Sequence, residues 1–159
     1  MDFDFTPYFE KYEKLVTASD EAFNRVKNAH ADCVTCAAGC ADCCHAVFDL
    51  TLIEALYINY HYNQKFKGAE KTDLEESANR ADRQMTKIKR WAHQELMAGK
   101  PEAEILAELA RERVRCPLLN TQDLCDLYEN RPLTCRFYGI PTAIGGAGRT
   151  CGKSDFKEG

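Results

Sequence analysis

The chain lacks any long apolar run. Nothing in its 159 residues approaches the roughly 18 to 20 consecutive apolar residues of a membrane-spanning helix, so no membrane partner is expected. It lacks a basic excess too: 21 Lys and Arg against 25 Asp and Glu leave a formal charge of −4. That balance argues against a nucleic-acid partner, because phosphate binding needs positive charge. The opening stretch, Met-Asp-Phe-Asp-Phe-Thr-Pro, carries acidic residues where an export leader is basic, and no apolar segment follows. The expected location is therefore the cytoplasm, where thiols are kept reduced. No long stretch alternates polar and apolar residues at period two, which excludes a large sheet. No paired carboxylates stand out as acid and base, and no Ser–His–Asp order emerges. An enzyme of this sequence would have to work through a metal or a thiolate.

The outlier is cysteine, with nine residues in two groups: 33, 36, 40, 43 and 44, then 116, 125, 135 and 151. An odd count fits a paired disulfide framework poorly. The remaining composition, 45% hydrophobic and 29% charged, is that of an ordinary globular protein, and the length suits a single domain over 1–159.

Helical periodicity dominates outside the cysteine groups, and the expected fold is mainly α: a small bundle of about four helices carrying two irregular cysteine-rich metal-binding segments. A first helix is predicted over 6–28, with Pro7 in its first turn. A second begins at Thr51, which forms a capping box with Glu54, and Gly68 is its natural stop. A third, over 72–97, carries Leu74, Ala78, Ala81, Met85, Ile88, Ala92 and Leu96 along one face. A fourth runs over 102–113, and Pro117 ends it by pushing Cys116 out of helical geometry. Beyond Cys116, the prolines, asparagines and the run Gly145-Gly146-Ala147-Gly148 leave little room for regular structure. The last few residues alone read as a loose tail.

Clustered thiolates repel one another unless a cation joins them, so the two groups predict a metal centre. Steps of three, four and three residues place Cys33, Cys36, Cys40 and Cys43 on one face of any helical turn, and Gly39 would let the backbone approach whatever Cys40 binds. Cys43 and Cys44 are adjacent, so their side chains should diverge, serving two metals or bridging a pair. Cys33 reads as a spare thiol. The candidate ligands are Cys36, Cys40, Cys43, Cys44, Cys116, Cys125, Cys135 and Cys151. His45 is placed behind the ligands rather than among them. Arg131 and Arg136 are read as loop-fixing donors, with neutralisation of thiolate charge as the alternative, and Tyr128 as a packing residue with its hydroxyl tied down. The aromatic group of Tyr57, Tyr60, Tyr62 and Phe66 reads as core. Ala147-Gly-Arg-Thr-Cys151-Gly152-Lys153-Ser154 nearly spells a phosphate-binding loop, but too few residues follow to build its helix.

Cys36-Ala-Ala-Gly-Cys40-Ala-Asp-Cys43-Cys44, with Val47 and Glu54-Ala55 after it, resembles the leading motif of the CxxCxxCC, or YkgJ-type, cysteine-cluster proteins. Cys116-Pro-Leu-Leu and Cys125-Asp-Leu-Tyr128-Glu-Asn-Arg131-Pro132-Leu-Thr-Cys135-Arg136 resemble that family's downstream signature, which Cys151-Gly152 continues. One departure is the first gap, which holds three residues between Cys36 and Cys40 rather than two. The resemblance implies a zinc- or iron-chelating domain. The motif also occurs in flagellin lysine N-methylases, where an iron–sulfur cluster is implicated.

Three functions follow. The first is a metal-ion-binding module holding zinc or iron, with zinc favoured and a protein partner left open. The second is an iron–sulfur enzyme, or enzyme component, that modifies a protein side chain. The third is a thiol redox sensor.

Overall fold

The computed structural model describes residues 4–144 and 147–157. It is mainly helical, as the periodicity predicts. Helix α1 spans Thr6–Ala29 with Pro in its first turn, and Tyr12 and Ser19 are its buried residues. Asp4 accepts a hydrogen bond from the Thr6 amide at 2.9 Å, taking up one of the amide groups a helix start leaves unpaired.

Helix α2, Leu52–Lys65, begins at the expected capping box: the Thr51 side chain accepts from the Glu54 amide, and the Glu54 carboxylate accepts from Thr51. It stops short of Gly68. Phe66 turns extended at φ −97°, ψ 135°, and its ring is the most deeply buried large side chain described, at 1% exposure. Burying a phenylalanine is worth about 2–3 kcal/mol, enough to decide where a helix ends. Gly68, at φ +55°, opens the next helix instead of closing this one.

Helix α3 runs Gly68–Met97, beginning earlier than Thr72. Its 30 residues span about 45 Å at 1.5 Å per residue. The predicted apolar face is only half-buried at Leu74, Ala81, Met85, Ile88 and Ala92, while Ala78 and Leu96 are exposed. None of its described residues is buried. The helix packs chiefly on α4, and Ala81 and Met85 of its apolar face line a cavity instead of meeting a neighbouring helix.

Helix α4, Glu102–Leu109, is shorter than predicted, and Pro117 does not end it. From Arg113 the chain is extended and pairs with the first cysteine segment. Arg113 bridges Ala46, and the amides of Val114 and Cys116 donate to the carbonyls of His45 at 3.0 Å and Cys44 at 2.7 Å. β-branched Val114, 7% exposed, suits an extended buried segment better than a helix.

The later part has more regular structure than its prolines suggest. Helix α5, Leu133–Phe137, packs on α1, as does α2. A two-stranded antiparallel sheet pairs β1, Thr142–Ile144, with β2, Ala147–Arg149. No larger sheet occurs among the described residues. Of the glycine run, Gly145 and Gly146 lie outside the described residues, as do the last two residues of the predicted tail. Among the described residues, no helix is long and apolar enough to cross a membrane.

Candidate metal centre

The first cysteine segment is not helical. It runs through turns to a single 3-10 turn, Asp42–His45. The common face expected for Cys33, Cys36, Cys40 and Cys43 therefore does not form. Gly39 explains part of this: its φ of +84° takes the chain out of right-handed helix. A Cβ at Gly39 would meet nothing within 4 Å, so its role is conformational and not one of close approach.

Even so, the fold brings the two cysteine groups together. Cys36, Cys40, Cys43, Cys44, Cys116, Cys125, Cys135 and Cys151 all line one cavity of about 890 Å³, mostly apolar and walled on one side by Ala81 and Met85 of α3. Cys33 is not among the lining residues, and its carbonyl instead accepts from the Asp155 amide at 3.0 Å. All nine thiols are free.

Two scaffolds hold the eight thiols. On one side, the pairing of residues 44–46 with 113–116 fixes Cys44 and Cys116. An isolated bridge from Leu119 to Cys125 brings in Cys125, and α5 carries Cys135. On the other side, the segment around Cys36 is tied to the one after Cys151 by the Thr35 hydroxyl, which donates to the Lys153 carbonyl at 2.5 Å. The Cys36 thiol lies 3.7 Å from the Tyr138 carbonyl, and a Cβ on Gly139 would sit 2.2 Å from its sulfur. Gly139, at φ +102°, is thus the residue whose missing side chain makes room for Cys36. The Tyr138 hydroxyl donates to Asp42 at 3.0 Å, and the Cys151 thiol donates to the same oxygen at 3.5 Å. Arg113 pairs with the other Asp42 oxygen.

The two adjacent thiols do not diverge. Cys43 Sγ and Cys44 Sγ lie 4.0 Å apart, close to the ~3.8 Å between two sulfurs on one tetrahedral ion with ~2.3 Å bonds. The hydrogen bond from Cys44 holds the Cys43 thiol down at about 7, with Arg131 adding to the effect against the opposing influence of burial. That same bond, followed by burial, pushes Cys44 up. Burial foremost raises Cys116, Cys125 and Cys135, with the charge of Cys43 adding to each. Burial also raises Cys36, and the charges of Cys40, Cys151 and Cys43 follow. Cys151 is raised by burial, with Asp42 and Cys40 contributing. For Asp42, burial acts upward but is outweighed by the bonds from Tyr138 and Cys151 and by Arg113, leaving its carboxyl below the usual range.

Among the described residues, no three Cys, His, Asp or Glu side chains already stand at the spacing of a closed coordination shell. What fits a metal is the donor set: eight free thiols facing one apolar space, one of them favouring the thiolate, beside the cationic Arg131 and Lys27. Closing a shell requires the thiols to move toward a shared ion, as is usual where binding and local folding are coupled.

The neighbouring residues divide into clear roles. His45 does not line the cavity, and its Nδ1 lies 3.0 Å from the Ala41 carbonyl, behind the thiols as expected. Arg136 is the loop-fixing donor: 3% exposed, it bonds the carbonyls of Arg131 and Glu129 and reaches Asp20 at 2.6 Å. Arg131 also lowers Cys43, Cys125 and Cys135, so the neutralising reading holds for it. Tyr128 is 57% exposed rather than packed inside, and its ring lies 3.8 Å beneath the Arg131 guanidinium. Tyr57 and Phe66 are core, whereas Tyr60 is 48% exposed. After β2 the chain turns at Cys151 and no helix follows within the described residues, so the near phosphate-loop motif lacks its anion-binding end.

Two roles at this site carry no signal in the sequence. Asp42 gathers Arg113, Tyr138 and Cys151 from three distant segments. Glu54 was legible as a capping residue, but its carboxylate also accepts from the Leu133 amide at 3.0 Å, capping α5 as well.

Residues 32–152 match the model of the CxxCxxCC family, described as a "putative zinc- or iron-chelating domain". No curated protein and no solved structure matches the chain significantly.

Proposed function

Because the chain belongs to the CxxCxxCC family, we propose that it is a metal-ion-binding protein that holds zinc or iron through Cys36, Cys40, Cys43, Cys44, Cys116, Cys125, Cys135 and Cys151. The observation that supports this most is the convergence of eight of the nine cysteines on one cavity, although they come from sequence groups separated by α2, α3 and α4. Eight small hydrophobes would have no reason to leave out only Cys33. Bound, the ion supplies the positive charge that lets buried thiolates lie side by side.

The chain's own residues prepare that site. Arg131 offsets negative charge at Cys43, Cys125 and Cys135, and Lys27 does so at Cys36. Gly139 gives Cys36 its space, and Asp42 orients Cys151. Zinc is the favoured ion, since sulfur-rich shells with no redox demand suit it.

The test is elemental analysis of untagged protein purified without oxygen, with acid-labile sulfide measured in parallel. Zinc retained through a chelating wash is the expected result. Iron with matching sulfide would replace zinc by a cluster, and protein that takes up neither metal on anaerobic reconstitution would overturn the proposal.

A further inference from the structure

The eight thiols do not form one undivided shell. Cys43, Cys44, Cys116, Cys125 and Cys135 share the scaffold built from the 44–46/113–116 pairing, the 119–125 bridge and α5. Cys36 and Cys151 belong to the other, where Tyr138, Gly139 and Asp42 fix them, and Cys40, which lines the same cavity, is near enough for its charge to act on both. Cys40 precedes the 3-10 turn Asp42–His45, and the Cys43–Cys44 pair lies within it. Five thiols exceed what one tetrahedral ion needs, whereas three fall one short.

We infer that the chain holds two metal centres of different kinds: a thiolate-saturated one at Cys43, Cys44, Cys116, Cys125 and Cys135, and a three-thiolate one at Cys36, Cys40 and Cys151 with its fourth position open to the cavity. This rests on the metal-binding reading above and extends it. Asp42 is not counted as the fourth ligand: its oxygens pair with Arg113 and accept from Tyr138, and the proton it accepts from Cys151 in the metal-free chain is lost when that sulfur takes an ion. A cavity of about 890 Å³ is far larger than a closed one-ion shell, and leaves room for a small exchangeable soft donor, such as a low-molecular-weight thiol or an imidazole. The saturated centre would be structural and the open one exchangeable, as closed and open zinc sites divide elsewhere.

The experiment uses the full chain, reconstituted without oxygen with zinc and, for optical readout, with cobalt(II). The expected stoichiometry is two ions per chain, one released to a chromogenic chelator at least tenfold faster than the other. Cys151→Ser should lose the fast phase and retain one ion. Gly139→Ala keeps every thiol but sets a methyl group against the Cys36 sulfur, and should do the same. Cys116→Ser leaves four thiols at the saturated centre and should keep the fast phase. Added imidazole should shift the cobalt spectrum of the unaltered chain and leave that of Cys151→Ser unchanged. The far-UV circular dichroism of each variant checks that the helices persist.

One ion per chain, an iron–sulfide core with more than two irons, loss of the slow phase together with the fast one in Cys151→Ser and Gly139→Ala, or a cobalt spectrum indifferent to imidazole would overturn the division while leaving metal binding in place. A chain that takes up zinc, cobalt and iron not at all would overturn the metal-binding reading itself.

Discussion

Replacing Glu54 by alanine should loosen the site from a distance. Glu54 is 5% exposed and its two carboxylate oxygens serve two helices. Oε2 accepts from the Thr51 amide at 2.9 Å and the Thr51 hydroxyl at 2.7 Å, and Oε1 accepts from the Leu133 amide at 3.0 Å. Leu133 is the first residue of α5, whose N-cap, Pro132, has no side-chain oxygen to offer. Thr51→Ala removes the α2 cap alone and should cost about 1 kcal/mol. Glu54→Ala leaves the bond from its own amide to Thr51 in place but removes the reciprocal half of the box, worth about 1 kcal/mol at exposed Thr51, together with the acceptor for Leu133, and a hydrogen bond to a charged group is worth about 1.5–3 kcal/mol. The expected total is about 2.5–4 kcal/mol, read as the shift in urea midpoint at constant slope. Because α5 carries Cys135, zinc affinity in a chelator competition should fall too, by about tenfold for each 1.4 kcal/mol that falls on the site. A Glu54→Ala chain no less stable than Thr51→Ala, with zinc affinity unchanged, would show that α5 is held some other way.

Arg136→Lys should behave as a severe change despite keeping the charge, because one ammonium cannot reach Asp20 and two carbonyls on different sides. A loss of about 3–5 kcal/mol, measured by denaturant unfolding, is expected for breaking a buried charged network. The metal-free protein should lose stability as pH rises. Cys36, Cys44, Cys116, Cys125, Cys135 and Cys151 are all raised in the fold, so their contribution is complete below the ordinary thiol range near 9 and fades above it. Cys43, lowered to about 7, acts the other way and is outnumbered. Thermal melts of metal-free protein at pH 7.5 and 9.5 under reductant check this, and an unchanged midpoint refutes it. Cys33→Ser should leave metal content unaltered and shift stability by no more than about 0.5 kcal/mol. Loss of an ion in that variant would bring Cys33 back among the ligands.

The helices were legible because their signals are local. The Thr51–Glu54 box, Pro7 and the apolar spacing along 72–97 each act within a few residues, and each marks an element that forms. The errors arose where a distant partner decides the outcome. Phe66 leaves α2 for the core before Gly68 is reached. Arg113, the predicted end of the fourth helix, is extended instead, and it and the residues after it pair with residues that precede them by some seventy positions. Cysteine clustering, a property of sequence, brought out the eight residues that line the cavity, whereas spacing also put Cys33 on their face, and Cys33 does not line it. Adjacency in sequence misjudged the directions of the Cys43 and Cys44 side chains, which depend on a 3-10 turn that no local pattern announces. Asp42 could not have been chosen over the other aspartates, because its value lies wholly in the Arg113, Tyr138 and Cys151 side chains that reach it.

The distribution of buried side chains ties the metal to the fold. Of the buried apolar residues, Val34, Val114, Leu119, Leu127, Ile140 and Cys151 lie in or beside the cysteine segments, while α3 contributes none. The core and the thiol cavity are thus largely the same region, and the helices alone leave much of their apolar surface half-covered. Among the described residues of the metal-free chain, no disulfide and no closed coordination shell joins the thiols of the two groups across that cavity. An ion that binds only the folded arrangement stabilises it by RT ln(1 + [L]/Kd), about 4 kcal/mol at a thousandfold excess over Kd. That is comparable to the whole cost expected of Glu54→Ala. A bound metal should therefore rescue the Glu54→Ala chain in large part, and the rescue should be smaller in Cys151→Ser, where one of the two ions is no longer held.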